Sequence, residues 1–120
     1  MRYDERWALQ RRLVDERLRS EIPDTLILLE HPPVITLGRS GTPEHLLGSE
    51  AELEKRGVAF VETDRGGDIT FHGPGQIVGY AIVDIDARGR DLHRYLRGLE
   101  TVVVRGLAEY GAFVNIGGVD

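Results

Sequence analysis

Twelve residues, Arg65 to Gln76, hold Gly66, Gly67, Gly73 and Gly75, with Pro74 between the last two. Glycine loses more conformational freedom on folding than any other residue, so a cluster of it serves a backbone purpose. Two purposes fit: tight turns, and close approach of a ligand to main-chain N–H groups. The same stretch carries Arg65, Asp68 and His72. On spacing alone, a glycine hairpin that merely turns the chain and a backbone-lined site stand level.

Composition narrows the setting. The 120 residues suit one domain, and 41% hydrophobic with 29% charged residues reads as soluble and globular. The formal charge of −5 argues against non-specific nucleic-acid binding, which needs clustered Lys and Arg to neutralise phosphates. No apolar run approaches the roughly 18 residues of a membrane span. Met1 to Gln10 has no apolar core of a signal peptide. There is no cysteine, hence no disulfide framework and no thiolate metal site. Four scattered histidines, His31, His45, His72 and His93, do not make a metal site either. A cytoplasmic protein without metal or cofactor is the expectation.

Asp4 to Arg19 reads as a helix, with Tyr3, Trp7, Val14 and Leu18 near one face, Leu13 beside them, and Pro23 beyond its end. Thr25 to Leu29 suits a buried strand. Glu30-His31-Pro32-Pro33 interrupts it, because two prolines remove two ladder donors. Val34 to Leu37 resumes as strand and Gly38 closes it. Ser49 with Glu52 three residues on is a capping-box pattern, and Gly57 fits a left-handed stop. Val58 to Thr63 and Ile69 to Phe71 are strands, and Asp64 to Asp68 between them predicts a hairpin turn. Ile77 to Ile85 is a longer strand. Asp91 caps a third helix whose stripe is Leu92, Leu96, Leu99, Val103 and Leu107, ended by Gly111. Ala112 to Ile116 is a last short strand. The fold class is α+β, a mixed β-sheet with flanking helices.

Three blocks then carry a resemblance. They are Leu28 to Gly38 (with Glu30-His31-Pro32-Pro33), Asp64 to Tyr80, and Asp91 to Leu96 followed by Gly118-Val119. In this order they resemble the lipoyl(octanoyl)transferase family, and Tyr3 to Gln10 looks like that family's first helix. The resemblance implies a fold shared with biotin and lipoate protein ligases. It implies transfer of an octanoyl group from octanoyl-acyl carrier protein to a lysine of a lipoyl domain, in 2-oxoacid dehydrogenases or the glycine cleavage H protein. It places substrate binding on Arg65, Gly66, Gly67, Asp68, Ile69, Thr70, Phe71 and His72. In the family a cysteine thiolate attacks the thioester, and a lysine lowers its pKa. This chain has no cysteine, and its one lysine, Lys55, sits in the Ser49 helix. The expectation is a single partial catalytic domain over 1–120, incomplete at the C-terminus, with no catalytic residue in the chain and no activity alone. Unpaired strand edges and exposed apolar surface would make it poorly soluble or partly unfolded.

Individual residues stay open at this point. His72 either orients the thioester or passes a proton, or it hydrogen-bonds a buried main-chain group. His31 fixes the turn between two strands, while His45 and His93 belong to the surface. Arg65 binds an anionic group or braces the loop; otherwise it pairs with Asp64 or Asp68. Arg88, Arg90, Arg94 and Arg97 either steer an acidic carrier or form a solvated helix face. Ser40 lies outside a G-x-S-x-G elbow and is no nucleophile. Two competing functions remain: a non-catalytic module that binds acyl groups or a carrier, and half of an ATP-dependent lipoate or biotin ligase. The Gly73-Pro74-Gly75-Gln76 run speaks against the ligase.

Overall fold

A computed structural model describes residues 1–46 and 48–113. The chain divides into two compact units, Met1–Ile82 and Val83–Asp120. The first unit begins with helix α1, Tyr3–Leu18, whose first turn carries Asp4 and Glu5 and whose last turn carries Arg17, in keeping with the helix dipole. The Glu5 carboxylate accepts the Arg2 main-chain N–H at 3.3 Å. The inward face of α1 is Tyr3, Arg6, Trp7, Gln10 and Leu13. Val14 and Leu18, expected inside, are exposed. They stand in line with Tyr3 and Trp7 but in the second half of the helix, whereas the buried residues of α1, Tyr3 and the cationic Arg6, lie in its first turns.

Strands β1 (Thr25–Leu29) and β2 (Val34–Leu37) fall where the apolar runs end at Pro32-Pro33. They do not pair with each other. β1 pairs antiparallel with β5 (Val78–Ile82), from Thr25 opposite Ile82 to Leu29 opposite Val78. β2 is the centre of a three-stranded sheet of order β3-β2-β4. Its neighbours are β3 (Ala59–Glu62), parallel, and β4 (Ile69–His72), antiparallel. The mixed sheet is present, with the proline pair shifting the chain from one ladder to the other. Asp64 to Asp68 is not a hairpin turn, because β3 and β4 lie on opposite edges of β2 and the segment must cross the end of that strand.

Between β2 and β3 come a 3-10 turn at Pro43–His45 and helix α2, Glu50–Lys55. Ser49 Oγ accepts the Glu52 N–H at 3.2 Å, and Gly57 stops the helix at φ +71°. The core is small and centred on β2: Val34, Thr36 and Leu37 are buried, with Ile82 and Tyr3 beside them among the buried side chains. β1 is not the buried strand its apolar run suggests: one face of the β1–β5 ribbon leaves Leu26 and Leu28 more than 60% exposed, with Gly79 opposite them. β5 is shorter than the run Ile77 to Ile85, since β1 pairs only with Val78 to Ile82.

The second unit holds a 3-10 turn at Asp86–Arg88 and helix α3, Leu92–Glu109. Asp91 caps α3 by accepting the Arg94 N–H at 3.0 Å, and Gly111 ends it at φ +79°. The apolar stripe Leu92, Leu96, Leu99, Val103 and Leu107 is exposed. The expected strand from Ala112 to Ile116 and the Gly118-Val119 pair fall wholly or partly outside the described residues. No helix among the described residues is long and apolar enough to cross a membrane.

Two glycines separate backbone contact from mere turning. A Cβ on Gly38 would stand 2.2 Å from the Gly67 carbonyl oxygen, whereas a Cβ on Gly66 meets nothing within 4 Å. Gly38→Ala should therefore cost about 1–3 kcal/mol, as overpacking does. Gly66→Ala should stay within about 0.5 kcal/mol of the parent. Urea midpoints of the two variants check this, and equal losses would contradict it.

Candidate functional site

The Arg65 side chain reaches from the glycine-rich segment into β2. Its Nε donates to Thr36 Oγ1 at 3.0 Å, and its Nη2 donates to Thr36 Oγ1 and to the Thr36 carbonyl, both at 2.8 Å. Nη2 also reaches the Asp68 carbonyl at 3.1 Å, and Nη1 donates to the Gly66 carbonyl at 2.7 Å. Thr36 is fully buried. The guanidinium thus binds main-chain and hydroxyl oxygens, not the carboxylates of Asp64 or Asp68. Of the roles open from the sequence, bracing the loop is the one these contacts perform.

The brace works together with the backbone. The N–H groups of Gly38, Arg39 and Ser40 donate to the carbonyls of Asp68 (2.5 Å), Arg65 (2.9 Å) and Gly67 (3.1 Å). Gly67 takes φ +88°, a conformation that suits glycine. A Cβ on Gly41 would fall 2.8 Å from Asp68 Oδ1, so that residue too must be small. The segment is therefore laid against 38–41 at main-chain distance. That leaves its own carbonyls committed before any ligand arrives.

β4 continues from this loop and carries Ile69, Thr70, Phe71 and His72. Thr70 and Phe71 are exposed, Ile69 and His72 half-buried. The Phe71 ring covers Gly73, where a Cβ would come within 2.7 Å of it. His72 faces the ring of His31 at 5.7 Å between centroids. Of the eight residues expected to bind substrate, Gly66 to Asp68 lie on the braced loop and Ile69 to His72 on the strand that leaves it, with Arg65 beneath.

His31 does more than fix a turn. It is 1% exposed. Its Nδ1 stands 2.7 Å from the Met1 carbonyl, an acceptor, so Nδ1 carries the hydrogen. Its Nε2, 2.9 Å from the Tyr80 hydroxyl, is then left to accept that O–H. Burial lowers the His31 pKa against the raising effect of the Met1 carbonyl, and the charges of His72 and Arg6 lower it further. Burial likewise raises the Tyr80 pKa, against the opposing charge of Arg6, which keeps the phenol a donor.

Arg6 completes the cluster. It is 2% exposed, with its guanidinium carbon 4.1 Å from the Tyr3 ring centre and 4.4 Å from that of Tyr80. Two aromatic faces at that distance stabilise a desolvated cation by about 0.5–2 kcal/mol each. Its Nη1 donates to Gln10 Oε1, while its buried Nε has no hydrogen-bond partner among the described residues. Tyr3, 5.3 Å from His31 between ring centres, links this cation to the histidines. Sequence reasoning missed Thr36, Gly38, Arg6 and Tyr80. Only Arg6 left a signal, as a charge within the i, i+3, i+4 spacing of the inward face of α1.

A cavity of about 530 Å³ adjoins the cluster between Tyr3 and Trp7 on one side and Val61, Glu62 and Asp64 on the other, with Arg39 at its edge. None of Arg65 to His72 lines it. Among the described residues no group of three or more His, Asp or Glu side chains is placed to hold a metal ion.

A small mixed sheet whose glycine-rich crossover is pinned by the half-buried Arg65, beside the tilted rings of His31 and His72, defines an α+β domain. The family model described as lipoyl protein ligase A/B catalytic domain matches residues 2–119, and the chain belongs to that family. An octanoyltransferase of Chloroflexus aurantiacus is 55% identical over 109 residues, covering 91% of this chain and 49% of the relative. One of Rubrobacter xylanophilus is 56% identical over 110 residues, with the same coverage of 91% and 49%. One of Geobacter metallireducens is 50% identical over 104 residues, 87% of this chain and 46% of the relative. The chain spans about half the length of the curated relatives it matches.

Two outcomes follow from this geometry. Arg65→Lys keeps the charge but cannot make the forked set of bonds, and should cost about 2–3 kcal/mol, the worth of hydrogen bonds to a charged group. Thermal or urea unfolding reads this directly. The second concerns pH. An unfolded His31 takes up a proton near its ordinary pKa of about 6.5, whereas the folded chain holds it neutral to lower pH. Its contribution to stability is full above about pH 6.5 and is lost as the pH falls toward its lowered folded value. Urea midpoints between about pH 7.5 and 5 should fall in the parent, and fall less in His31→Gln.

Proposed function

We propose that this chain forms the acyl-donor cradle of an octanoyltransferase. The whole reaction moves an octanoyl group from acyl carrier protein to a lysine amine of a lipoyl domain, in the cytoplasm. The thioester C–S bond breaks, an amide C–N bond forms, and the carrier thiol leaves with the proton the amine gives up. The observation that carries the reading is the Arg65–His72 segment, held in one shape by Thr36 and Gly38 and ending at His72 beside buried His31. The names of the relatives support it. These 120 residues hold no cysteine, so the thiolate step that the family resemblance implies is assigned to none of them.

Gly66, Gly67 and Asp68 present main chain to the acyl thioester, while Arg65 keeps that main chain in place from below. The acyl chain is apolar, and exposed Phe71 offers it a surface on the same strand. Two of the four arginines near the start of α3 are tied up, Arg90 by Asp86 at 2.8 Å and Arg97 by Glu100 at 3.0 Å. Arg94 is the one placed to attract the acidic carrier, since its guanidinium has no ion pair among the described residues.

The test is a chimera in which these 120 residues replace the matching half of the Chloroflexus aurantiacus octanoyltransferase. It should transfer octanoyl groups from the carrier to a lipoyl domain, and Arg94→Glu in it should raise the KM for the carrier-bound donor severalfold with kcat unchanged, as loss of a steering charge does. A folded chimera that needs ATP and ignores the carrier would replace this reading with that of a ligase.

A further inference from the structure

The Gly73-Pro74-Gly75 bend folds the chain back on His72. The Gln76 N–H donates to the Gly73 carbonyl at 3.1 Å, and Gly75 takes φ +89°. This sets the Gln76 amide against the histidine. Its Oε1 lies 2.5 Å from His72 Nδ1, and its Nε2 lies 3.5 Å from the Phe71 carbonyl oxygen. The chemistry of these groups leaves one arrangement. A main-chain carbonyl only accepts, so the NH₂ end of the amide faces Phe71. The oxygen end then faces His72, and since an amide oxygen only accepts, Nδ1 must carry the hydrogen. A neutral imidazole has one N–H, so Nε2 holds a lone pair, with no hydrogen-bond partner among the described residues.

We infer that Gln76 is a positioning residue that locks neutral His72 in its Nδ1–H form and makes Nε2 a hydrogen-bond acceptor at the end of the substrate-binding segment. This rests on the reading of Arg65 to His72 as that segment. It also divides the two roles open to His72. An Nε2 lone pair cannot donate to a thioester carbonyl oxygen. It receives an N–H instead, and the group in this reaction that brings one is the attacking primary amine of the acceptor lysine. His31 cannot substitute, because both of its nitrogens are engaged by Met1 and Tyr80. The pair therefore consists of one closed histidine and one with an open acceptor.

Nitrogen-15 NMR of the imidazoles in the full 120-residue chain reads this without any turnover. At about pH 8.5, well above the ordinary histidine pKa, His72 should show a protonated Nδ1 and an unprotonated Nε2. Gln76→Met, of similar length but without donor or acceptor, should move the hydrogen to Nε2. Gln76→Glu, an acceptor, should restore Nδ1–H. His31 should keep its Nδ1–H form in all three and so reports that each variant is folded. An Nε2–H His72 in the parent, no change in Gln76→Met, or no restoration in Gln76→Glu would each overturn the inference. A chimera inactive in octanoyl transfer would remove the functional reading while leaving the tautomer result to stand or fall separately.

Discussion

A guanidinium has five N–H donors and no way to lose its charge inside a protein, so wherever it is pulled under a loop, oxygens must be found for it. Arg65 finds them in Thr36, Gly66 and Asp68. Everything at the site inherits its position from that requirement. The Thr36 hydroxyl must point at the loop, so β2 is locked to the crossover. The loop must then come close enough for the main-chain bonds from Gly38 to Ser40, which only a side-chain-free Gly38 permits. β4 leaves this junction already in register, Leu37 opposite Ile69 and Val34 opposite His72. The placement of His72 is thus decided at the far end of its own strand.

The second organising element is polar as well. His31, Arg6, Tyr3 and Tyr80 occupy the junction of α1, the proline corner and β5, where a larger domain would put aliphatic side chains. A buried cation costs several kcal/mol in desolvation unless compensated. Here the compensation comes from the rings of Tyr3, Tyr80 and, farther off, Trp7, together with Gln10, with no carboxylate among the described residues. The Arg6 charge adds to burial in favouring a neutral His31, whereas at Tyr80 it opposes burial, and burial is what keeps the phenol protonated. Burial first, and the Arg6 charge after it, keep His31 a neutral link between Met1 and Tyr80 of β5.

Much of this could be read in advance. The caps at Ser49 and Asp91, the left-handed glycines at 57 and 111, and the first two strands follow from local chemistry that tertiary context did not override. Pairing was another matter. Asp64 to Asp68 has the composition of a hairpin turn, but composition cannot say whether the next strand lands beside its predecessor or one place over. Here β2 already offered both edges, and the chain took the second. Likewise Arg65 and the glycines after it were visible as a feature, while their partner Thr36 looked like any residue of a buried strand. Gly38 read as a strand stop, because the contact it allows is made with a residue almost thirty positions away. Val14 and Leu18 failed for a further reason: their spacing is helical and in line with Tyr3 and Trp7, but only the first turns of the helix, around Tyr3 and Arg6, are buried.

The pairing of β1 with β5 has a consequence for how the chain reaches this state. Each residue of β1 meets a partner roughly fifty positions later, from Leu29 with Val78 to Thr25 with Ile82. During synthesis β1 and the proline corner leave the ribosome with nothing to pair against until β2, α2, β3 and β4 have followed. Long-range pairings of this kind close late and slowly. In that interval Leu26, Ile27 and Leu28 are an uncovered apolar edge, the stretch a chaperone would hold. The ribbon that carries Tyr80 to His31 is therefore among the last parts of the first unit to be completed.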